Sequence, residues 1–439
     1  MSKESHQHEV SPVALLFPGA ALLGYLIVTV LLFFFGPWRY PVEDATRLVW
    51  FLVAVHVALA GGYLVGIRRR PAPGGRFAVA GMAAFCVVCS LIVLLPTSLL
   101  NTGSWIPNPF SAASDLGGAY ARSLALRERA TPWVNYARIL VAPALAAMLP
   151  LCVFFWHRLS RVLRAGFVLA TCGALALGVA MGINAEAAQF VLLFPWFVLA
   201  AHVSGARRLD PRRWAVAAVV AVLAGILLVA LFATSMNVRA GSFARNGYLP
   251  GIEATLKGRP ADIEQQWPDT RPAWRVAVDG LAGYLSHGYY AVYLSLREPF
   301  VPMYGVGNSV FLQRQVARLL GTDTLPNRSY PARIEARGWN AYGYWATVYP
   351  WIASDVGFPG TVVVMFVAGL VFGMVWADVV VAANPWAVAF LGQVLTFMYY
   401  VPAHNKVMHS GEGVVAFLTL GLLWAASHLR GAAGRVATR

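Results

Sequence analysis

Between residues 297 and 360 the sequence gathers side chains suited to a charged leaving group. Arg297, Arg328, Arg333 and Arg337 stand close together in the chain. A planar guanidinium matches phosphate oxygens bidentately, so the cluster fits a phosphate clamp. It also fits a solvated loop beside anionic headgroups. A second polar stretch, His404-Asn405-Lys406-Val407-Met408-His409-Ser410-Gly411-Glu412, adds the cation Lys406. Asp355, Glu335, His287 and His404 have the chemistry of general bases, as do Asp279, His409 and Glu412. Asp355 equally suits a helix N-terminus, where a carboxylate accepts backbone N–H groups. Trp339 and Tyr344 pair a flat apolar face with a polar edge, which suits sugar rings and the membrane interface alike. Asn340 stands between them as a further hydrogen-bonding candidate.

Other chemistries find less support. His404 and His409 are five apart, which is not the i, i+4 spacing of a helical metal pair. Cys86-Val-Val-Cys89 lies in an apolar run without a basic neighbour to activate a thiol, and reads as packing. No Walker motif or dinucleotide fingerprint is present. No metal, cofactor or nucleic-acid partner is expected.

The elements that must position these residues are apolar. The chain has 439 residues, of which 59% are hydrophobic and 12% charged, with a mean hydropathy of +0.62. Soluble domains carry about 25% charge. A soluble globular enzyme, a disordered chain and a disulfide scaffold are therefore excluded. Ten runs reach or approach the roughly 20 residues a helix needs to cross hydrocarbon: 13–35, 47–67, 77–98, 134–156, 165–183, 187–204, 214–235, 358–381, 386–402 and 412–428. The first lacks the small-residue cleavage site of a signal peptide and reads as a retained helix.

The net charge is +15, carried mostly by arginine, and its placement orients the spans. With both termini cytoplasmic, the cytoplasmic pieces hold 15 basic residues and the short outer loops six. The expected fold is an all-α polytopic membrane protein of about ten transmembrane helices. It divides into 1–235, a large outer loop 236–357, and 358–439. That loop is too long for a mere connector and holds ten of the 17 tyrosines. A 3.6-residue stripe from Trp274 to Leu296 predicts an amphipathic helix over about 272–297, lying flat on the outer leaflet. A second is predicted over 308–320. The eighth span is predicted to open near Phe358.

The run Trp339-Asn340, Thr347-Val348-Tyr349, Asp355-Val356-Gly357-Phe358-Pro359-Gly360 resembles the "Asn … Thr-x-Tyr … Asp-x-Gly-x-x-Gly" end of the large periplasmic loop in Wzy-type polysaccharide repeat-unit polymerases, relatives of the O-antigen ligases. The layout of about ten spans with one large outer loop in the second half is similar as well. Two departures stand out. The middle outer turn, Gly182-Ile183-Asn184-Ala185-Glu186-Ala187, lacks the arginine often found there. Trp339 stands where ligases show a histidine, which favours polymerase over ligase.

The resemblance implies a GT-C-like enzyme of the bacterial inner membrane. Such an enzyme joins undecaprenyl-pyrophosphate-linked oligosaccharides at the periplasmic face, without metal or cofactor, and in the company of a chain-length regulator. The arginines and Lys406 would hold the pyrophosphate. Trp339, Asn340 and Tyr344 would hold the glycan. A ligase or another lipid-dependent transferase is the neighbouring reading, and Glu43-Asp44 resembles the acidic pair of the latter. A flippase would place charges inside its spans, which are nearly free of them.

Overall fold

The computed structural model describes residues 10–72, 78–113, 116–129, 133–206, 273–339 and 344–436, with scattered positions between 210 and 229. The expected seventh span, 214–235, falls largely outside the described residues, and the loop segment 236–272 and Asn340 fall wholly outside them.

Every element among the described residues is helical. The first half contains α1 (Pro12–Phe35), α2 (Thr46–Ile67), α3 (Val79–Thr102), the short α4 (Pro109–Ala113) and α5 (Leu116–Arg129), α6 (Trp133–Phe154), α7 (Arg161–Ala180) and α8 (Ala185–Val203). Then come α9 (Ala273–Ser286), α10 (Gly288–Ser295), α11 (Val310–Leu320) and α12 (Tyr330–Arg333). The chain closes with α13 (Val348–Ala382), α14 (Pro385–Tyr400), the short α15 (Lys406–His409) and α16 (Gly411–Val436). Eight helices among the described residues are long and apolar enough to cross a membrane: α1, α2, α3, α6, α7, α8, α13 and α16. The protein is an all-α polytopic membrane protein. The ninth apolar run forms α14, only 16 residues long. From Ala387 to Leu395 every residue of α14 is buried in protein, so it presents little surface to lipid.

The tightest packing is between α2 and α13. Gly62 and Gly66 on one helix face Gly369 and Gly373 on the other, each pair four residues apart. A Cβ at Gly62 would collide with Phe366 O, and one at Gly369 with Leu59 O. Small residues at this spacing let two backbones touch, and van der Waals contact then holds the helices where lipid supplies no hydrophobic drive. The contacts run in step from Leu59–Gly369 to Ile67–Gly373, so the two helices are parallel. The ten-run reading requires that direction of its second and eighth spans. Tyr63 locks α1 beside the pair by donating to Leu15 O at 2.6 Å.

One expectation differs from the structure. The stripe over 272–297 forms two helices, broken at His287. The second, α10, is buried on every side, as a helix lying flat on a leaflet is not. Its tyrosines pack between loop and bundle: Tyr289 meets Phe33 and hydrogen-bonds Thr29, and Tyr290 stacks on Tyr40. The eighth span runs from Phe358 as expected, and a separate helical stretch, 348–356, precedes it across a break. Thr347 caps Val348–Ala382 by accepting from Tyr349 N–H, and a break at Gly357 (φ 69°) divides the helix. Likewise, α11 forms close to its expected bounds, between a Ser309 cap and a left-handed Gly321.

Gly369→Val is expected to separate α2 from α13, lowering the melting temperature in detergent or abolishing the folded protein, since overpacking costs about 1–3 kcal/mol even where backbone is not struck. Gly24→Ala on α1, where nothing lies within 4 Å of the new Cβ, should instead leave stability unchanged or raise it by about 0.5–1 kcal/mol.

Candidate functional site

The described part of the 236–357 segment caps one end of the bundle. Trp38 donates to Asp279 O at 2.6 Å and Phe51 packs edge-on against Tyr349 and Phe358, so the first interhelical loop and the start of α2 hold α9 and α13. Thr347 sits beside the 401–404 turn after α14, and Val348 N–H donates to Val401 O. The segment after α14 thereby joins the same end.

Asp355 organises this end as an anchor. Its Oδ1 accepts N–H bonds from Gly305 and Gly307, and its Oδ2 one from Asn308, all at 2.8 Å. The carboxylate therefore does not cap a helix N-terminus: it receives the backbone of the 303–308 strap, while Thr347 caps the helix. Ser354 reinforces the anchor, accepting from Tyr330 N–H through its hydroxyl and from Met303 N–H through its carbonyl. Gly307 is required here because a Cβ would lie 2.7 Å from Ser354 Cβ.

The arginine cluster is largely matched by acids. Arg337 Nε pairs with Glu298 Oε1 at 2.5 Å, and Arg333 Nη1 approaches Glu298 Oε2 at 3.7 Å. Arg333 also donates to Arg328 O and Pro299 O and lies over Tyr330. Arg297 lies over Tyr293 and 3.7 Å from Glu43 of the first loop. Arg328 forms no ion pair among the described residues and is partly exposed. Glu335 is exposed on a short 3-10 turn beyond them. Trp339 is only 2% exposed. It packs on His287, Tyr290 and Tyr344 and donates to Trp345 O, so its faces are spent on the protein.

A different set converges on the 404–412 turn. Trp345 stacks face to face on His404, with centroids 4.2 Å apart, and His409 meets His404 edge-on at 5.0 Å. Tyr400 flanks His404 and carries Lys406 Nζ over its ring. Asn405 is oriented by donating its amide to Asn308, next to the Asp355 anchor. Glu412 receives Arg138 of α6 bidentately, at 2.8 and 3.0 Å. Glu186, from the turn that lacks an arginine, lies within electrostatic reach of Arg138 and Tyr400. Lys406 forms no ion pair among the described residues. Burial, with His409 and Lys406 beside it, pushes the His404 pKa well below the usual imidazole range. Burial, Lys406 and Arg314 bring His409 down to about 4. Burial does the same to His287, to about 4. His287 Nδ1 bonds to Gly283 O at 2.8 Å and its Nε2 accepts from Trp345 N–H at 3.1 Å, which commits both ring nitrogens. His404 Nδ1 is buried without a partner among the described residues.

The turn thus joins neutral imidazoles to an uncompensated ammonium. That pairing can take a proton from a hydroxyl while steadying an anion. No group of three His, Cys, Asp or Glu among the described residues could hold a metal ion.

No family model, curated protein or solved structure matches this chain. The reading of the site therefore rests on its own geometry. Sequence reasoning named His404, His409, Lys406 and Glu412, but missed Trp345 as the stacking partner and Arg138 as the partner of Glu412. The one signal for Arg138 was an arginine just inside the outer end of the 134–156 apolar run.

Two outcomes follow. Asp355→Asn turns an amide N–H toward a backbone N–H of the strap, and should destabilise the fold by about 1–3 kcal/mol in a detergent melt. The histidines set a pH dependence. Their folded pKa values lie below the unfolded value of about 6.5, so the unfolded chain binds more protons between that pH and about 4. Stability should be fully present above about pH 6.5 and fall as pH drops toward 4, and His409→Gln should flatten the slope.

Proposed function

We propose that this protein is a membrane-embedded glycosyltransferase that polymerises lipid-linked oligosaccharide repeat units. In this reading the growing glycan leaves an undecaprenyl-pyrophosphate carrier and is transferred to the acceptor hydroxyl of a new lipid-linked unit. The C1–O bond to the diphosphate breaks as the glycosidic bond forms, and the hydroxyl proton passes to a base. The observation that carries the reading is the 404–412 turn, where Lys406 lacks an acidic partner beside the neutral pair His404 and His409. A departing diphosphate needs fixed positive charge, and an acceptor hydroxyl needs an unprotonated base; one short turn offers both. The aromatic surroundings and the resemblance of the 339–360 run to the repeat-unit polymerases add support.

On this reading the protein resides in a bacterial inner membrane with both termini cytoplasmic. The 236–357 segment and the 404–412 turn face the periplasm, where a chain-length regulator meets the enzyme. Asp355 then serves by holding the strap, and Arg297, Arg333 and Arg337 by joining the outer loops through Glu43 and Glu298. Arg328, which lacks such a partner, remains a second cation for the carrier.

The test is incubation of purified protein with lipid-linked repeat units. Lengthened lipid-linked products support polymerisation; transfer only to a different acceptor assigns a ligase, and translocation without bond formation assigns a flippase. Lys406→Ala should slow elongation about 10²–10³-fold, as loss of one preorganised charged donor does elsewhere. Arg337→Ala, whose charge already has a partner, should cost less than about tenfold. His404→Gln should abolish turnover while leaving carrier binding intact. Full-length product from both the Lys406 and His404 variants would remove the turn from the chemistry.

A further inference from the structure

On the outer face of the cap, α11 borders a groove of about 490 Å³ that the proposed reaction does not use. Its walls include Gln313, Arg314, Ala317, Arg318, Thr322 and Asp323. Gln313 is fixed at its base, 2% exposed and donating to Gly307 O. Arg314 and Arg318 are one helical turn apart and both exposed, and neither forms an ion pair among the described residues, although Asp323 lines the same groove. Immediately after them in the chain, but outside the groove's lining, Leu319 is 84% exposed and Leu320 62%. Leu140 on α6 and Leu422 on α16, on helices apolar enough to span a membrane, are 79% and 71% exposed. The α11 leucines thus show as much surface as residues on the spans themselves. The start of α11 rests on α6 and α16: Gly411 approaches both Phe311 and Ile139.

Arginines on one face of α11 and bare leucines on another, at the rim of a membrane bundle, match the boundary between headgroup and acyl chain. A guanidinium takes phosphate oxygens bidentately, and interfacial amphipathic helices bury their apolar residues just below the headgroups. We propose that this groove binds an anionic glycerophospholipid of the phosphatidylglycerol type. Its phosphate lies on Arg314 and Arg318, its glycerol hydroxyls donate to Asp323 and Thr322, and its acyl chains pass the end of α11 at Gly321 toward the side that carries Leu320. The site is separate from the carrier site, so the lipid is a bound partner that sets the height of α11, and with it the strap through Ser309 and Gly307.

The experiment is titration of the full-length protein, in neutral detergent, with phosphatidylglycerol, phosphatidylcholine or inorganic phosphate, read by native mass spectrometry. Phosphatidylglycerol should bind at least about tenfold more tightly than phosphatidylcholine. Each interfacial basic residue contributes about one kcal/mol toward anionic lipid, so Arg314→Gln with Arg318→Gln should weaken binding about thirtyfold. Leu319→Ser with Leu320→Ser should weaken both lipids. Should the double arginine variant fail to fold, Arg318→Gln alone, at an exposed position, should still cost about fivefold. Equal binding of the two lipids, or unchanged binding in the arginine variants, overturns the proposal. Inorganic phosphate competing at the same arginines while the leucine variant binds lipid normally would assign the groove to a soluble anion and overturn it as well. Because Lys406 and His404 are untouched, a failure here leaves the glycosyltransferase reading standing, and elongation assays on Arg318→Gln and the leucine variant, which spare the Arg314 charge near His409, separate the two.

Discussion

The contact of α2 with α13 through four glycines sets the frame for everything at the loop end. Without side chains between them, the two backbones run side by side, and their relative height is fixed by carbonyls that would strike any added Cβ. That height determines where Gly357 breaks α13, where Asp355 stands, and which backbone amides its carboxylate can reach. Phe51, near the start of α2, meets Tyr349 and Phe358 on either side of the break. The bend is thus wedged by the helix to which α13 is bound.

From that frame the cap is assembled by polar contacts of long sequence range. Asp355 holds the strap, and the strap starts α11 and orients Asn405 through Asn308. Val348 ties the head of α13 to Val401, and Trp345 then closes over His404. At the far end of α13 a comparable knot forms around Asp378, which is 1% exposed and accepts from Ala72 N–H and Trp424 Nε1 while pairing with His428. A buried carboxylate is costly unless its oxygens are satisfied, and here each oxygen has a donor. Both ends of the same helix are therefore pinned by an aspartate, one holding loop amides and the other holding α16.

Hydropathy made the membrane class plain, because runs such as 13–35 and 77–98 form helices that bury little and must meet lipid along most of their length. It could not separate a lipid-facing span from a helix enclosed by protein, which is why α14 and α10 read as membrane elements. The stripe from Trp274 to Leu296 kept a 3.6-residue period across His287, and periodicity carries no record of a one-residue turn made by a ring whose two nitrogens bond Gly283 and Trp345. The polar residues of the site were visible as types, but their pairing was not. Arg333 and Arg337 look like a free cluster until Glu298, more than thirty residues earlier, is seen beside them. Glu412 looks like a free base until Arg138 reaches it from α6. The glycine pairs Gly62/Gly66 and Gly369/Gly373 were not singled out in the sequence, and which helix each would face depends on the folded bundle.

The same glycine contact has a consequence for the making of the protein. Phe366 and Gly369 leave the ribosome some 300 residues after Gly62. At roughly 5–20 residues per second that interval lasts about 15–60 s. For that time α2 sits in the membrane with a bare backbone groove and nothing of its own to fill it. Such a groove accepts any small-residue helix that drifts past, so the nascent chain is open to mispairing, or to an insertion chaperone, throughout that interval.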